Sequence, residues 1–297
     1  MLFRNAHVYR LTSEVPDFDS LHEALAGNAF TPCTGLRPSS FGWVTPLAVD
    51  EGPLAHEVAG SVLLCARRED KVVPSSALNE ALAEKVERLE GMEGRPLKAR
   101  ERLRLKDDAM AELLPRALAR SKQILGYLNA RDELLVIDTA SAAEAELFIN
   151  CLRESIGSFS VVPPQVKSKP SDTFTHWLNT RKLPDDFAFG DACDLLDPEE
   201  GATVTCRKQD LASREIRTHL EVGKICTRIG LRWHGDLRLT VDKDLILRQI
   251  KVETSDDSME EEENPIARLD AAFVNMTLEF SRFLPALFSA LGGEHRD

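Results

Sequence analysis

No two of the six cysteines, Cys33, Cys65, Cys151, Cys193, Cys206 and Cys226, stand in a C-x-x-C pair, which excludes a zinc ribbon and a dithiol redox motif. Most are expected to be reduced, acting as small buried apolar residues. The seven histidines form neither H-E-x-x-H nor H-x-H; no metal site is read, and no cofactor is expected. Long apolar runs are missing as well. The longest spans Val62 to Ala66, far short of the ~20 residues that cross a bilayer as a helix. Arg4 and His7 interrupt the N-terminus before a secretory apolar core can form, so the expected location is the cytoplasm. There is no phosphate loop, no G-x-G-x-x-G and no nucleophile elbow. Aromatic residues make up only 6% of the chain, few of them near its basic stretches, which disfavours a platform that stacks single-stranded bases.

What is present reads as globular. The 297 residues are 43% apolar and 29% charged, with no biased repeat, a length that suggests about two domains. The net charge of −12 looks hostile to nucleic acid until its distribution is followed. Residues 183–200 hold seven acidic side chains and no base, and residues 253–263 hold seven more; removing those fourteen leaves about +2. Residues 98–122 carry eight basic against four acidic residues, and 205–251 carry eleven against six. Charge is segregated along the chain, so its global sign does not choose the partner. The acidic runs read as solvated loops or faces.

The pattern predicts an α+β protein of two α+β units with antiparallel sheets and a helical projection. Residues 1–74 plus 123–165 form the first unit. It contains a strand over 2–11, a helix from Pro16-Asp17 to about Asn28, and a buried strand over 61–67. It continues with a strand over 134–138 and a helix over 141–156. Residues 75–122 form the projection, with helices over 75–92 and 97–114 and a third opened by Pro115. In that third helix Arg116 and Arg120 would lie four apart on one face, near Lys122. Residues 166–297 form the second unit, and its last helix, 264–291, carries the stripe Leu269, Phe273, Met276, Phe280, Phe283 and Leu287 at core spacing.

The most informative stretch is 205–233. Thr205 to Leu211 reads as a strand and turn, Ser213 as the N-cap of a short helix, and Gly223 as its left-handed stop. In the strand that follows, Ile225, Thr227, Ile229, Leu231 and Trp233 alternate with Cys226, Arg228, Gly230 and Arg232. An antiparallel meander continues through 237–241 and 245–252. Its open face would carry Arg228, Arg232 and Arg238, with Arg207, Lys208 and Lys224 at the edges, a surface suited to a polyanion.

Against this stands one catalytic pattern. Glu69-Asp70-Lys71, with Asp17 upstream, is half of a metal-dependent nuclease constellation, and three carboxylates would have to converge near Lys71 for it to work. A third reading is a protein-interaction module that uses the face from Phe273 to Phe283.

The motifs Phe3-Arg4-Asn5, Phe30-Thr31-Pro32-Cys33, Gly42-Trp43-Val44, Cys65-Ala66-Arg67, Leu113-Leu114-Pro115-Arg116, Val161-Val162-Pro163, Lys208-Gln209-Asp210-Leu211, Gly223-Lys224 and Leu291-Gly292-Gly293-Glu294 recur in order. Through them nearly the whole chain resembles the bacterial recombination-associated RdgC family. The resemblance implies a nucleoid-associated, non-enzymatic protein that closes as a ring-shaped homodimer. Its basic hole would admit double-stranded DNA without sequence preference, and its occupancy would restrain recombinase-promoted strand exchange. It also implies that Lys208 and Gln209 touch DNA, with Arg116 from the Leu-Pro-Arg motif. Arg207, Arg120, Lys122, Lys224, Arg228 and Arg232 are added by charge and face alone.

Overall fold

The computed structural model describes residues 2–14, 16–47, 52–252 and 264–295; the acidic run 253–263 lies outside the described residues. The chain runs β1 (His7–Leu11), α1 (Phe18–Ala26), β2 (Ser39–Val44), β3 (Ala55–Val58), β4 (Ser61–Val72), α2 (Ser75–Glu93) and α3 (Ala99–Leu113). A 3-10 turn, Leu114–Arg116, leads to β5 (Leu118–Asn129), β6 (Leu134–Ile137), α4 (Ala142–Ile156), β7 (Val161–Val162) and α5 (Pro170–Thr180). The last elements are β8 (Phe187–Leu196), β9 (Thr203–Arg207), α6 (Arg214–Glu221), β10 (Ile225–Trp233), β11 (Leu237–Asp242), β12 (Leu247–Val252) and α7 (Pro265–Ala290). The fold is α+β with antiparallel sheets, as the pattern predicts.

Two compact units emerge. The first holds Met1–Gly27, Thr45–Cys65 and Leu125–Asp297, and the second Asn28–Val44 and Ala66–Ile124. In the first unit β1 lies between β6 and β7, β6 pairs with the inner half of β5, and β3 pairs with β4, all antiparallel. A separate sheet has the order β12-β11-β10-β8-β9. Its far edge is prolonged by the N-terminal segment, because Ala6 and Leu247 exchange backbone bonds of 2.8 and 2.9 Å and the Ile250 N–H donates to the Arg4 carbonyl at 2.9 Å.

Helix α7 forms because Asn264 caps it, accepting from the Ile266 N–H, and Pro265 occupies the first turn, where its missing N–H costs nothing. Its stripe becomes core: Phe273, Phe280, Phe283 and Leu287 are fully buried, each contributing roughly 1.5–3 kcal/mol by leaving water. Tyr127 of β5 meets Phe273 edge-on at 5.8 Å, while Phe283 meets Phe187 at 6.2 Å and Trp233 at 5.6 Å. One helix therefore joins the cores beneath both sheets of this unit. Gly126 is needed under α4, since a Cβ there would lie 2.6 Å from the Phe148 ring. At the chain end Glu294 takes a bidentate bond from Arg10 at 2.5 and 2.7 Å, with both side chains nearly buried.

The second unit is thinner. Its hairpin of α2 and α3 turns at Gly94, in the left-handed region at φ 64. Glu90 accepts from the Leu97 N–H at 2.8 Å and from Arg102 at 2.9 Å. Leu78 is the one buried residue of α2 and Ala109 that of α3, while Met92 and Leu103 are exposed.

Two expectations are corrected. Residues 118–122 are strand and not a third helix: the place of β5 beside β4 overrides the weak helical propensity of Leu-Ala-Arg. The acidic stretch 183–200, read as solvated loops or faces with no strand assigned, contains β8, second from the edge of its sheet. Phe187, Cys193 and Leu195 bury one side of that strand, an alternation hidden by the surrounding carboxylates.

Candidate nucleic-acid interface

The nine residues read as a DNA surface divide between the units, with Arg207, Lys208, Gln209, Lys224, Arg228 and Arg232 in the first and Arg116, Arg120 and Lys122 in the second.

In the first unit the loop from β9 to α6 is built around Lys208. Leu211 is buried and anchors the loop to the core. The Gln209 N–H donates to the Asp191 carbonyl at 3.0 Å and its Nε2 donates to Ser213 Oγ at 3.2 Å. Ser213 stands at the N-cap position, yet its hydroxyl bonds Gln209 instead of capping the helix. Asp210 accepts from the Ala212 N–H at 2.9 Å. Between these braces Lys208 is exposed, with φ 52, a left-handed conformation that costs an L-residue about 1 kcal/mol. Arg207 beside it is also exposed, and neither makes an ion pair among the described residues.

Behind the loop the expected alternation holds only from Arg228 on: a register shift between Cys226 and Arg228 puts Cys226 in the core and leaves Ile225 and Thr227 half-buried, the reverse of the expected sides. Ile229, Leu231 and Trp233 are buried in the core, Trp233 against Phe283 of α7, while Arg228 and Arg232 turn to the other side and are only partly buried. Their surroundings differ. Arg228 is paired with Asp194 and Lys224 with Asp197 at 3.3 Å, the lysine side chain being 13% exposed. The Asp197 carboxyl is held below its usual range by the Glu200 and Glu199 N–H groups, then by Lys224. These two cations complete the fold of the acidic stretch and have little charge left for a ligand.

Arg232 instead faces a hollow of about 880 Å³, also lined by Arg4, Arg238, Lys251 and Asp191. Its floor is the crossing of β8 and β10, where Gly190 and Gly230 are needed: a Cβ on Gly190 would meet the Gly230 backbone at 2.9 Å. A bulge at this crossing and another in the β11–β12 pairing, where Gln249 has φ 55, open the hollow. Arg4 and Lys251 escaped the sequence reading, since Arg4 arrives through the Ala6–Leu247 bridge and Lys251 changes side across the bulge. Only the alternation that put Arg232 and Arg238 on the open face signalled the site.

In the second unit Arg116 ends the 3-10 turn, and Arg120 and Lys122 are alternate residues of β5; all three are exposed. Glu69 and Lys71 are engaged structurally. Glu69 accepts from the Cys33 N–H at 2.6 Å and the Ser121 hydroxyl at 3.0 Å, and Lys71 Nζ donates to the Gly35 carbonyl at 2.8 Å. The Cys33 bond holds the Glu69 carboxyl below its usual range. Among the described residues no group of three His, Cys, Asp or Glu could hold a metal ion, and no helix is long and apolar enough to cross a membrane. The Phe273 to Phe283 face is core, so it offers no docking surface.

Residues 1–294 match the family model described as "Putative exonuclease, RdgC". Among curated proteins named recombination-associated protein RdgC, that of Aeromonas hydrophila is 40% identical over 303 residues, covering 100% of this chain and 99% of its own. Those of Tolumonas auensis and Pseudomonas aeruginosa are 37% and 38% identical, each covering 99% of this chain and 99% and 98% of their own lengths.

Proposed function

The chain belongs to the RdgC family, and from that premise we propose that it binds double-stranded DNA without sequence preference, as a homodimeric ring, and so restrains recombinase-promoted strand exchange. The observation that carries the reading is Lys208. An exposed cation without an ion pair among the described residues sits on a braced loop at φ 52, where glycine would be conformationally cheaper. Strain of this kind concentrates at functional sites. The relatives' shared name, recombination-associated protein, supports a role on DNA and names no catalytic activity.

In this mechanism Lys208 and Arg207 neutralise phosphates and release counterions, so affinity falls steeply with salt and is sequence-tolerant. Gln209 holds the loop and can share its amide with a phosphate or sugar oxygen. Arg232 adds to the field, while Arg116, Arg120 and Lys122 provide a second contact from the other unit. Arg228 and Lys224 contribute least, because Asp194 and Asp197 already neutralise them. A closed ring adds a topological hold, so even moderate affinity obstructs a recombinase filament and keeps the protein with the nucleoid.

The test is anisotropy of a labelled random-sequence duplex titrated across salt. A linear fall of log affinity with log salt is expected, with a slope of about −0.9 per neutralised phosphate. Absence of binding at low salt overturns the proposal. The family description keeps a nuclease reading in view; Mg²⁺-dependent cleavage of linear DNA that Glu69→Gln abolishes would establish it in place of the clamp.

A further inference from the structure

Three cysteines that lie apart in the sequence come together in the sheet β12-β11-β10-β8-β9. Cys193 of β8 and Cys206 of β9 are direct register partners, and their thiols are close enough to hydrogen-bond. Cys226 of β10 joins them in the same core, where burial first, then the nearby Cys193 and Cys206, hold its thiol up. The three differ in access. Cys193 is 1% and Cys226 0% exposed, whereas Cys206 is half-buried on β9, the edge strand of the sheet. Cys226 is also engaged, its Sγ–H donating to the Arg228 carbonyl at 3.2 Å. Directly opposed residues of an antiparallel pair hold their Cα atoms about 4.5 or 5.5 Å apart, and both spacings fall within the roughly 4.4–6.8 Å that a disulfide spans. A bond between Cys193 and Cys206 therefore needs side-chain rotation and no movement of the strands.

We infer that Cys206 is a site of oxidation by hydroperoxides and that Cys193 captures the oxidised sulfur as a cross-strand disulfide. In the first step the Cys206 sulfur loses its proton and attacks the O–O bond; the sulfur is oxidised to a sulfenic acid, and the peroxide is reduced to an alcohol or, from hydrogen peroxide, to water. In the second the Cys193 sulfur attacks Cys206. The S–S bond forms, the S–O bond breaks, and the leaving hydroxide takes the Cys193 proton away as water. Each role follows from position. A small oxidant reaches Cys206 at the sheet edge and is kept from Cys193 and Cys226, and Cys193 is the thiol that faces Cys206 across the strand pair. Burial, then Cys206, hold the Cys193 thiol above its ordinary range, so it stays protonated and does not react with the oxidant itself. The bond ties the edge strand to β8 at the root of the loop that carries Lys208. This chemistry is independent of the duplex reading, since neither sulfur belongs to residues 207–209.

The test is treatment of the folded, reduced full chain with hydrogen peroxide, quenching with N-ethylmaleimide, and peptide mapping by mass spectrometry without reductant. Residues 183–206 contain no lysine or arginine, so trypsin releases both cysteines in the single peptide 183–207. That peptide is expected two hydrogens lighter and closed to alkylation, with Cys226 still a thiol that alkylates once the chain is unfolded. Cys206→Ser, at a half-buried edge position that does not threaten folding, abolishes the mass loss and leaves Cys193 alkylatable after unfolding. Cys193→Ala leaves a sulfenic acid at Cys206, which dimedone traps several-fold more than in wild type. A peptide 183–207 that keeps both thiols free, equal dimedone labelling of wild type and Cys193→Ala, or a disulfide that joins Cys206 to Cys226 or to a second copy of the chain overturns the inference.

Discussion

The sheet face of the first unit and the β5 ramp of the second are both rich in lysine and arginine, yet their charges are in different states. On the sheet, Arg228, Lys224 and Arg248 each meet a carboxylate and are partly or largely buried, over a core filled by α7. On the ramp, Arg116 and Arg120 are exposed, with no ion pair among the described residues, and the helices of that unit bury one residue each. Counting basic residues does not locate an anion site. A cation whose neighbour is a carboxylate belongs to the fold, and one without such a neighbour is available to a ligand.

The contrast in packing gives the largest expected effect. Phe280→Ala should destabilise the protein by about 3–5 kcal/mol in denaturant unfolding, because it leaves a cavity beneath both sheets of the first unit. Leu103→Ala in the exposed part of α3 should change stability by less than about 0.5 kcal/mol. Comparable losses would erase the distinction between a filled and a thin unit.

The contrast in charge comes next. Asp194→Asn should cost about 1–3 kcal/mol by removing the ionised acceptor of Arg228, and should raise duplex affinity by freeing that cation. Arg228→Gln should change affinity little. If it weakened duplex binding as much as Lys208→Ala, the division between structural and available cations would fail.

At Lys208 stability and binding should move in opposite directions. Lys208→Gly removes the charge and relaxes the φ 52 backbone, so it should raise stability by up to about 1 kcal/mol. It should also weaken every duplex about equally and reduce the salt slope by about 0.9. Loss on one sequence only would contradict a phosphate contact.

The smallest effect concerns pH. Glu101 at the start of α3 is held down to about 2 from 4.5 by Arg95 and the Lys98 N–H. Its folded value is depressed, so its support for the hairpin is complete above 4.5 and disappears as pH falls toward 2. Helicity of wild type should decline over that window, measured by circular dichroism, and Glu101→Gln should flatten the decline.

Local rules carried much of this. The helix starts at Asp17 and Ser141 were legible, and both side chains accept from N–H groups of the first turn, whereas Ser213, read as an N-cap, does not cap. The α7 stripe was equally plain, as was the alternation of β10 from Arg228 on, because burial imposes a period on each element; the shift at Cys226 was not legible. Two elements were not legible. The propensity of 118–122 favours helix, and only the long strand β5 laid beside β4 makes it strand. The carboxylates around β8 mask its buried side, and only the opposing arginine and lysine explain why acid is tolerated there.

By itself the sequence determined the segregation of charge, the elements with strong periods, and the family through motifs spread over its length. Tertiary structure decided which cations are spent. Partnership depends on what lies across a strand pair, and bulges near Gly190 and Gln249 reset that register by two residues and by one. The cluster of Cys193, Cys206 and Cys226 likewise exists only once three separate strands are laid side by side.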